Sequence, residues 1–248
     1  MVSAMDLHGK TAVITGASRG IGAGIARLAH AEGLNVALCS RGEPALRDDG
    51  DRVLAVRADV TDPAAMDDLA QRAVARFGGI DLWINNAGVL APIGMLRELD
   101  SAEVKAHLEI NVLGVFHGTR AFARHVRTSG RGGVLINISS GAARHGFAGW
   151  SAYCASKAAV DLMTESVAIE EKDAGLRAHA VAPGIIDTAM QELIRGQREE
   201  DFPDVERFRQ MKRDDAFSSE EHVARELLKL AFGAPQARGV RVELPPER

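Results

Sequence analysis

Tyr153 and Lys157 stand four residues apart, so on a helix their side chains share one face and meet. A free phenol has a pKa near 10, too high for efficient proton exchange at neutral pH, and a neighbouring ammonium lowers it by favouring the phenolate. The pair therefore reads as a tuned acid/base, and Tyr153 is the only tyrosine in the chain. Upstream, Asn137-Ile138-Ser139-Ser140 ends an apolar run. A serine hydroxyl at that end of a parallel sheet faces the ligand crevice and can donate to a substrate carbonyl, with both Ser139 and Ser140 as candidates.

A second constellation binds phosphate. Thr15-Gly16-Ala17-Ser18-Arg19-Gly20-Ile21-Gly22 follows an apolar run and opens a helical stretch. Glycines there permit a tight turn and close approach, and the free amides of the helix start receive a pyrophosphate. The spacing is Gly-x-x-x-Gly-x-Gly. Asp59-Val60 and Asn86-Ala87-Gly88 are placed to flank the adenine and the nucleoside, although such residues also make ordinary turns. An acid ending the second strand would bind the 2'-hydroxyl of NAD. Here the strand ends Leu38-Cys39-Ser40-Arg41, and Arg19 lies in the adjacent turn, so two arginines fit the 2'-phosphate of NADP.

The elements that must position these groups alternate. Strands are expected at Thr11–Thr15, Asn35–Cys39, Val53–Val56, Leu82–Asn85, Gly133–Ile138, Arg177–Ala182 and Val240–Glu243. Helices are expected at Gly20–Ala31, Pro63–Phe77, Ser101–Thr128, Ser151–Ala174 and Ser219–Phe232. Uninterrupted apolar strands such as Ala12-Val13-Ile14, alternating with helices, imply an α/β fold with one seven-stranded parallel sheet covered on both faces. Asp62-Pro63 reads as a cap before an N1 proline, and Asp100 with Glu103 as a capping box. No linker or repeat divides residues 1–248, so one domain is expected. Arg41–Arg52 is too short and too rich in Gly, Pro and Asp for a crossover helix, and the charged stretch 189–215, broken by Gly196 and Pro203, reads as a substrate flap.

Composition removes several function classes. A net charge of -4 offers no global field for nucleic acid or an anionic membrane. Two separated cysteines and eight scattered histidines form no disulfide framework or metal set, as expected of reduced thiols in a cytoplasm. Met1–Lys10 carries no apolar leader core, and no run is long enough to span a bilayer, so neither export nor insertion is expected.

The ordered motifs resemble those of the short-chain dehydrogenase/reductases: the Thr15–Gly22 turn, Asn85-Asn86-Ala87-Gly88, Asn111, Ser140, Tyr153-x-x-x-Lys157, and Pro183-Gly184 with Thr188. The resemblance implies a doubly wound Rossmann-type domain, a nicotinamide cofactor and the catalytic set Asn111, Ser140, Tyr153 and Lys157. It selects Ser140 over Ser139 by its distance from the tyrosine. It implies that Lys157 holds the nicotinamide ribose, that Asn111 anchors a relay water, and that Pro183, Gly184, Ile186 and Thr188 meet the nicotinamide end. Hydride would pass to a carbonyl carbon while Tyr153 protonates its oxygen. Asn111 as a mere helix kink stays open.

Gly149-Trp150-Ser151-Ala152-Tyr153-Cys154 and Asp187–Leu193 resemble the sepiapterin reductase branch, which includes bacterial benzil reductases. That similarity implies reduction of a ketone or vicinal diketone, with Glu243 anchoring an amino-substituted ring. Without that anchor, Phe147, Trp150, Met190 and Leu193 would line an aryl pocket. A homodimer or tetramer is also implied. Two other readings stay open: an NADP-dependent alcohol dehydrogenase, and a non-catalytic NADP sensor.

Overall fold

The computed structural model describes residues 7–233 and 239–247. Met1–Asp6, on which the expectation about a leader partly rests, lie outside them. Seven strands form one parallel sheet in the order β3-β2-β1-β4-β5-β6-β7. Their spans are β1 Thr11–Thr15, β2 Asn35–Ser40, β3 Val53–Arg57, β4 Leu82–Asn85, β5 Gly133–Ile138, β6 Leu176–Ala182 and β7 Arg241–Glu243. The order reverses between β1 and β4, and at such a switch point the carboxyl ends of the strands open a crevice.

The strands' twofold alternation feeds two cores. Ala12 and Ile14 of β1 pack with α1 (Gly20–Ala31) and α8 (Glu220–Phe232) on one face of the sheet. Val13 packs with α2 (Pro63–Phe77) and α4 (Gly114–Ser129) on the other. Both sides of each central strand are thus dry, which is why polar alternation is missing from the sequence. Asp62 caps α2 by accepting from Ala64 N at 2.8 Å, and Gly78 ends that helix with φ +80°. Asp100 caps α3 (Ser101–Leu108) by accepting from Ala102 N and Glu103 N.

The structure departs from expectation in three places. The single helix expected over Ser101–Thr128 is broken by a π-helical turn at Glu109–Leu113, which carries Asn111. The helix α5 spans Ser151–Glu170, and Lys172–Ala174 is a separate 3₁₀ turn. The stretch 189–215 contains two short helices, α6 (Ala189–Arg195) and α7 (Val205–Arg213), seated by Ile194, Val205 and Phe208 on a third apolar cluster. As expected, Arg41–Arg52 forms no helix.

Candidate active site

The glycine turn is built by close approach. Gly16 has φ +67°, and a Cβ there would lie 2.7 Å from Ala87 Cα, while one on Gly22 would collide with Asn86 Nδ2 and Gly16 O. Thr15 Oγ1 accepts from Asn86 N at 3.0 Å and Ala87 N at 3.1 Å. Asn86 Nδ2 donates to Thr15 O and Gly16 O. The Asn86 side chain therefore clamps the turn to β4.

The start of α1 offers its amides unblocked. Arg19, at the N-cap, is extended and makes no side-chain cap bond, and the first turn holds no acid. Arg19, Ser18 and Arg41 are exposed, and neither arginine has an ion pair or hydrogen bond among the described residues. The nearby acid Glu43 is engaged by Arg57. Asp59 accepts from Thr61 N and Oγ1, and Val60 is a core residue packed against Gly114. Thr188 reaches the same turn, its Cγ2 3.4 Å from a Cβ built on Gly20. Pro183 and Ile186 are buried and Gly184 has φ +84°. A cradle that side chains would fill, free helix-start amides and two unpaired cations fit a phosphorylated dinucleotide.

The acid/base pair is buried at the carboxyl edge of β5. Ser140 accepts from Ala142 N at 3.2 Å and is the neighbour that favours ionisation of the Tyr153 phenol, whereas Ser139 points inward and donates to the buried Asp161. Lys157 Nζ donates to Ile138 O at 2.8 Å and lies 5.8 Å from the Tyr153 ring centre. Burial pulls Lys157 down to about 8, opposed by the charge of Asp161. The expectation that Lys157 draws the phenol down is corrected. Burial raises Tyr153 above the ordinary phenol value, and only the neighbouring Ser140 pulls the other way.

Asn111 is fully buried and pins the loop beyond β4, accepting from Val89 N and donating to Val89 O, each at 2.8 Å. Gly88 is held between Asn111 and Lys157, where a Cβ would lie 3.2 Å from Oδ1 and 3.8 Å from Nζ. Sequence reasoning missed His107. Its Nδ1 bonds Ala91 O at 2.8 Å and its Nε2 meets Asn111 Nδ2 at 3.0 Å, which defines a neutral ring that donates at Nδ1 and accepts at Nε2. Burial lowers its pKa, with Lys157 adding to the effect and Ala91 O opposing it. Also missed was a polar ladder beneath the site. Asn85 Nδ2 donates to Asn137 Oδ1 at 2.8 Å, and Asn137 Nδ2 to Thr164 Oγ1 at 2.9 Å.

Three of the four residues expected to line an aryl pocket share one apolar cluster. Trp150 stacks on Phe202 with ring centres 4.5 Å apart, touches Phe147 at 5.3 Å and stands edge-on to Tyr153 at 5.6 Å. Met190 joins this cluster from α6. Leu193 is corrected: it is exposed, and its neighbour Ile194 fills the cluster because that side of α6 faces inward. Glu243 ends β7 at the same sheet edge, mostly exposed and 3.3 Å from Arg144. Among the described residues no His/Cys/Asp/Glu group is arranged for a metal, and no helix is long and apolar enough to cross a membrane.

Glycine turn, switch-point crevice and buried Ser/Tyr/Lys set together define a dinucleotide-binding oxidoreductase of the alcohol/carbonyl type. A family model described as short chain dehydrogenase matches residues 10–199, and the chain belongs to that family. It is 38% identical over 194 residues to 3beta-hydroxysteroid dehydrogenase 1 of Eggerthella lenta, covering 74% of this chain and 73% of that one. It is 31% identical to the benzil reductase ((S)-benzoin forming) of Bacillus subtilis, covering 88% and 91%. The solved gluconate 5-dehydrogenase of Burkholderia cenocepacia, in complex with NADP and tartrate, superposes with TM-score 0.82 at 25% identity, covering 98% and 96%.

Proposed function

We propose that the protein is an NADPH-dependent carbonyl reductase acting on a ketone or vicinal diketone, with Tyr153 as proton donor. The observation that carries this reading is the buried Tyr153 phenol, held protonated by burial, with Ser140 beside it and Lys157 Nζ 5.8 Å from its ring centre at the sheet's carboxyl edge. Bound NADPH supplies the hydride. Ser140 and Tyr153 orient the carbonyl oxygen, and the phenol proton meets the charge that develops there. As the phenolate forms, the Lys157 ammonium on the same helix face turns from Ile138 O toward it and stabilises the new charge. Asn111 commits its side chain to Val89 and His107, so a relay water would use its main-chain carbonyl.

Exposed Arg19 and Arg41 support NADP(H), through charge-assisted bonds to the 2'-phosphate. Trp150 Nε1 is buried beside Tyr153 with no hydrogen-bond partner among the described residues, a donor suited to the second oxygen of a diketone. The benzil reductase relative agrees with that class. Relatives named as dehydrogenases favour the oxidative direction as a second reading. A panel of aryl ketones, diketones and their alcohols, assayed with both nicotinamide couples, tests the assignment. Turnover of diketones with NADPH well above NADH is expected, and no turnover on any carbonyl or alcohol would overturn it.

The same reading includes a homodimer. Leu113, Phe116, Leu162 and Ile169 are exposed on the adjacent helices of a groove that Phe116, Met163 and Val167 line. Sedimentation should give at least a dimer, and Ile169→Glu should shift it toward monomer without unfolding it.

A further inference from the structure

Three consecutive residues at the end of β5 engage one face of α5. Ile138 O accepts from Lys157, Ser139 Oγ donates to Asp161, and Ser140 is the neighbour that favours ionisation of the Tyr153 phenol. Tyr153, Lys157 and Asp161 follow one another at intervals of four, so they form a single helical stripe. The first two members are the acid/base pair. The third is a carboxylate only 4% exposed.

A buried carboxylate is costly unless opposite charge and hydrogen bonds compensate it. Asp161 has both. Lys157 lies one turn before it, and Arg241 Nε of β7 stands 3.8 Å from its Oδ2. Arg241 is itself committed more closely to Glu165, at 2.6 Å. Charge therefore alternates away from the phenol: Lys157 positive, Asp161 negative, Arg241 positive, Glu165 negative. An amide would satisfy Ser139 equally well, so the hydrogen bond alone does not call for a charge at this position.

We propose that Asp161 is a positioning residue of the reaction: its charge keeps Lys157 cationic beneath Tyr153, and its bond to Ser139 holds Ser140 in register with the phenol. This rests on the reading that the Lys157 ammonium serves Tyr153. Facing Lys157 are Tyr153 and Asp161 from its own helix and His107 from α3. Facing Asp161 are Ser139 of β5, Arg241 of β7 and Glu165. Burial has already brought Lys157 to about 8, close enough to neutrality for one neighbouring charge to decide its state. Removing the negative charge must lower it further, and removing Arg241 must raise it.

The chain contains six lysines, so the titration of Lys157 can be followed in ¹³C-lysine-labelled protein by NMR, assigned with Lys157→Arg. Asp161→Asn should move the Lys157 midpoint down by about one pH unit, and Arg241→Gln should move it up by less. The alkaline limb of carbonyl reduction should follow. Asp161→Asn should lose about tenfold in kcat/KM at pH 9 and less than about twofold at pH 6. A folded Asp161→Asn protein with an unmoved Lys157 midpoint overturns the proposal. If that variant does not fold, Arg241→Gln decides: an upward shift supports the coupling, and an unmoved or lowered midpoint overturns it. A lysine midpoint that moves while the activity limb stays fixed overturns the role in the reaction. Absence of turnover in the native protein counts against the reductase reading alone, because the lysine titration is read without turnover.

Discussion

At the carboxyl end of β5, Tyr153, Lys157, Asn111 and His107 are sealed from water, and desolvation moves the acidities of Tyr153, Lys157 and His107. At the far side of the glycine turn, the Arg19 and Arg41 side chains stand in solvent without partners among the described residues. On the proposed reading, the difference follows from two tasks. Proton transfer needs a group poised between states, and burial is what moves a pKa far from its ordinary value. Choosing a doubly charged phosphate needs only full positive charges free to meet it, and those are cheapest to keep in water.

The contrast is tested first where the effect is largest. Tyr153→Phe keeps the ring packing and removes only the hydroxyl, so kcat should fall by about 10²- to 10⁴-fold while NADPH still binds by fluorescence titration. Loss of binding instead would mean that the two ends are not separable. Next, Arg41→Ala should raise KM for NADPH about tenfold, leave KM for NADH and kcat nearly unchanged, and lose its effect as salt rises. Equal use of both cofactors by the native protein would remove the assigned role of Arg19 and Arg41.

The smallest effect is expected at Asp187, which ties α6 to α7 through Arg195 at 2.8 Å and Lys212 at 2.6 Å. This link follows the segment proposed to meet the nicotinamide, yet is built from partly exposed ions. Asp187→Asn should raise KM for the carbonyl about two- to threefold with kcat retained. The Lys212 hydrogen bond, with Arg195, holds the Asp187 carboxyl below the usual range. Because the folded value is depressed, its contribution is fully present above the ordinary carboxylate pKa and is lost as pH falls through the folded value. The native KM should therefore be flat near neutrality and rise only in acid.

How much was legible in the sequence depended on how local each cause was. Pro63–Phe77 was readable to the residue because its cap, its N1 proline and its terminal glycine are contiguous with it. His107 was not readable, since its partners Ala91 and Ser156 lie 16 and 49 residues away. Asp161 hid for the same reason, its Ser139 and Arg241 contacts arising only once β5, α5 and β7 have packed. The helices within 189–215 are short, and what seats them is the cluster around the Trp150–Phe202 stack, which no local pattern announces. Leu193 and Ile194 differ by one step around a helix of seven residues, too short for periodicity to fix its phase.

The π-helical turn at Glu109–Leu113 also sets a phase relation. An α-helical residue advances about 100° around the axis, so one surplus residue turns everything after it by that angle relative to an unbroken helix. Asn111 faces the site from within that turn, while Phe116 follows on the exposed flank. Deleting one residue there would restore a regular helix and swing the flank away from its present bearing. The turn thus works as an angular spacer, through which the catalytic side of the molecule and its outer face are cut to fit each other.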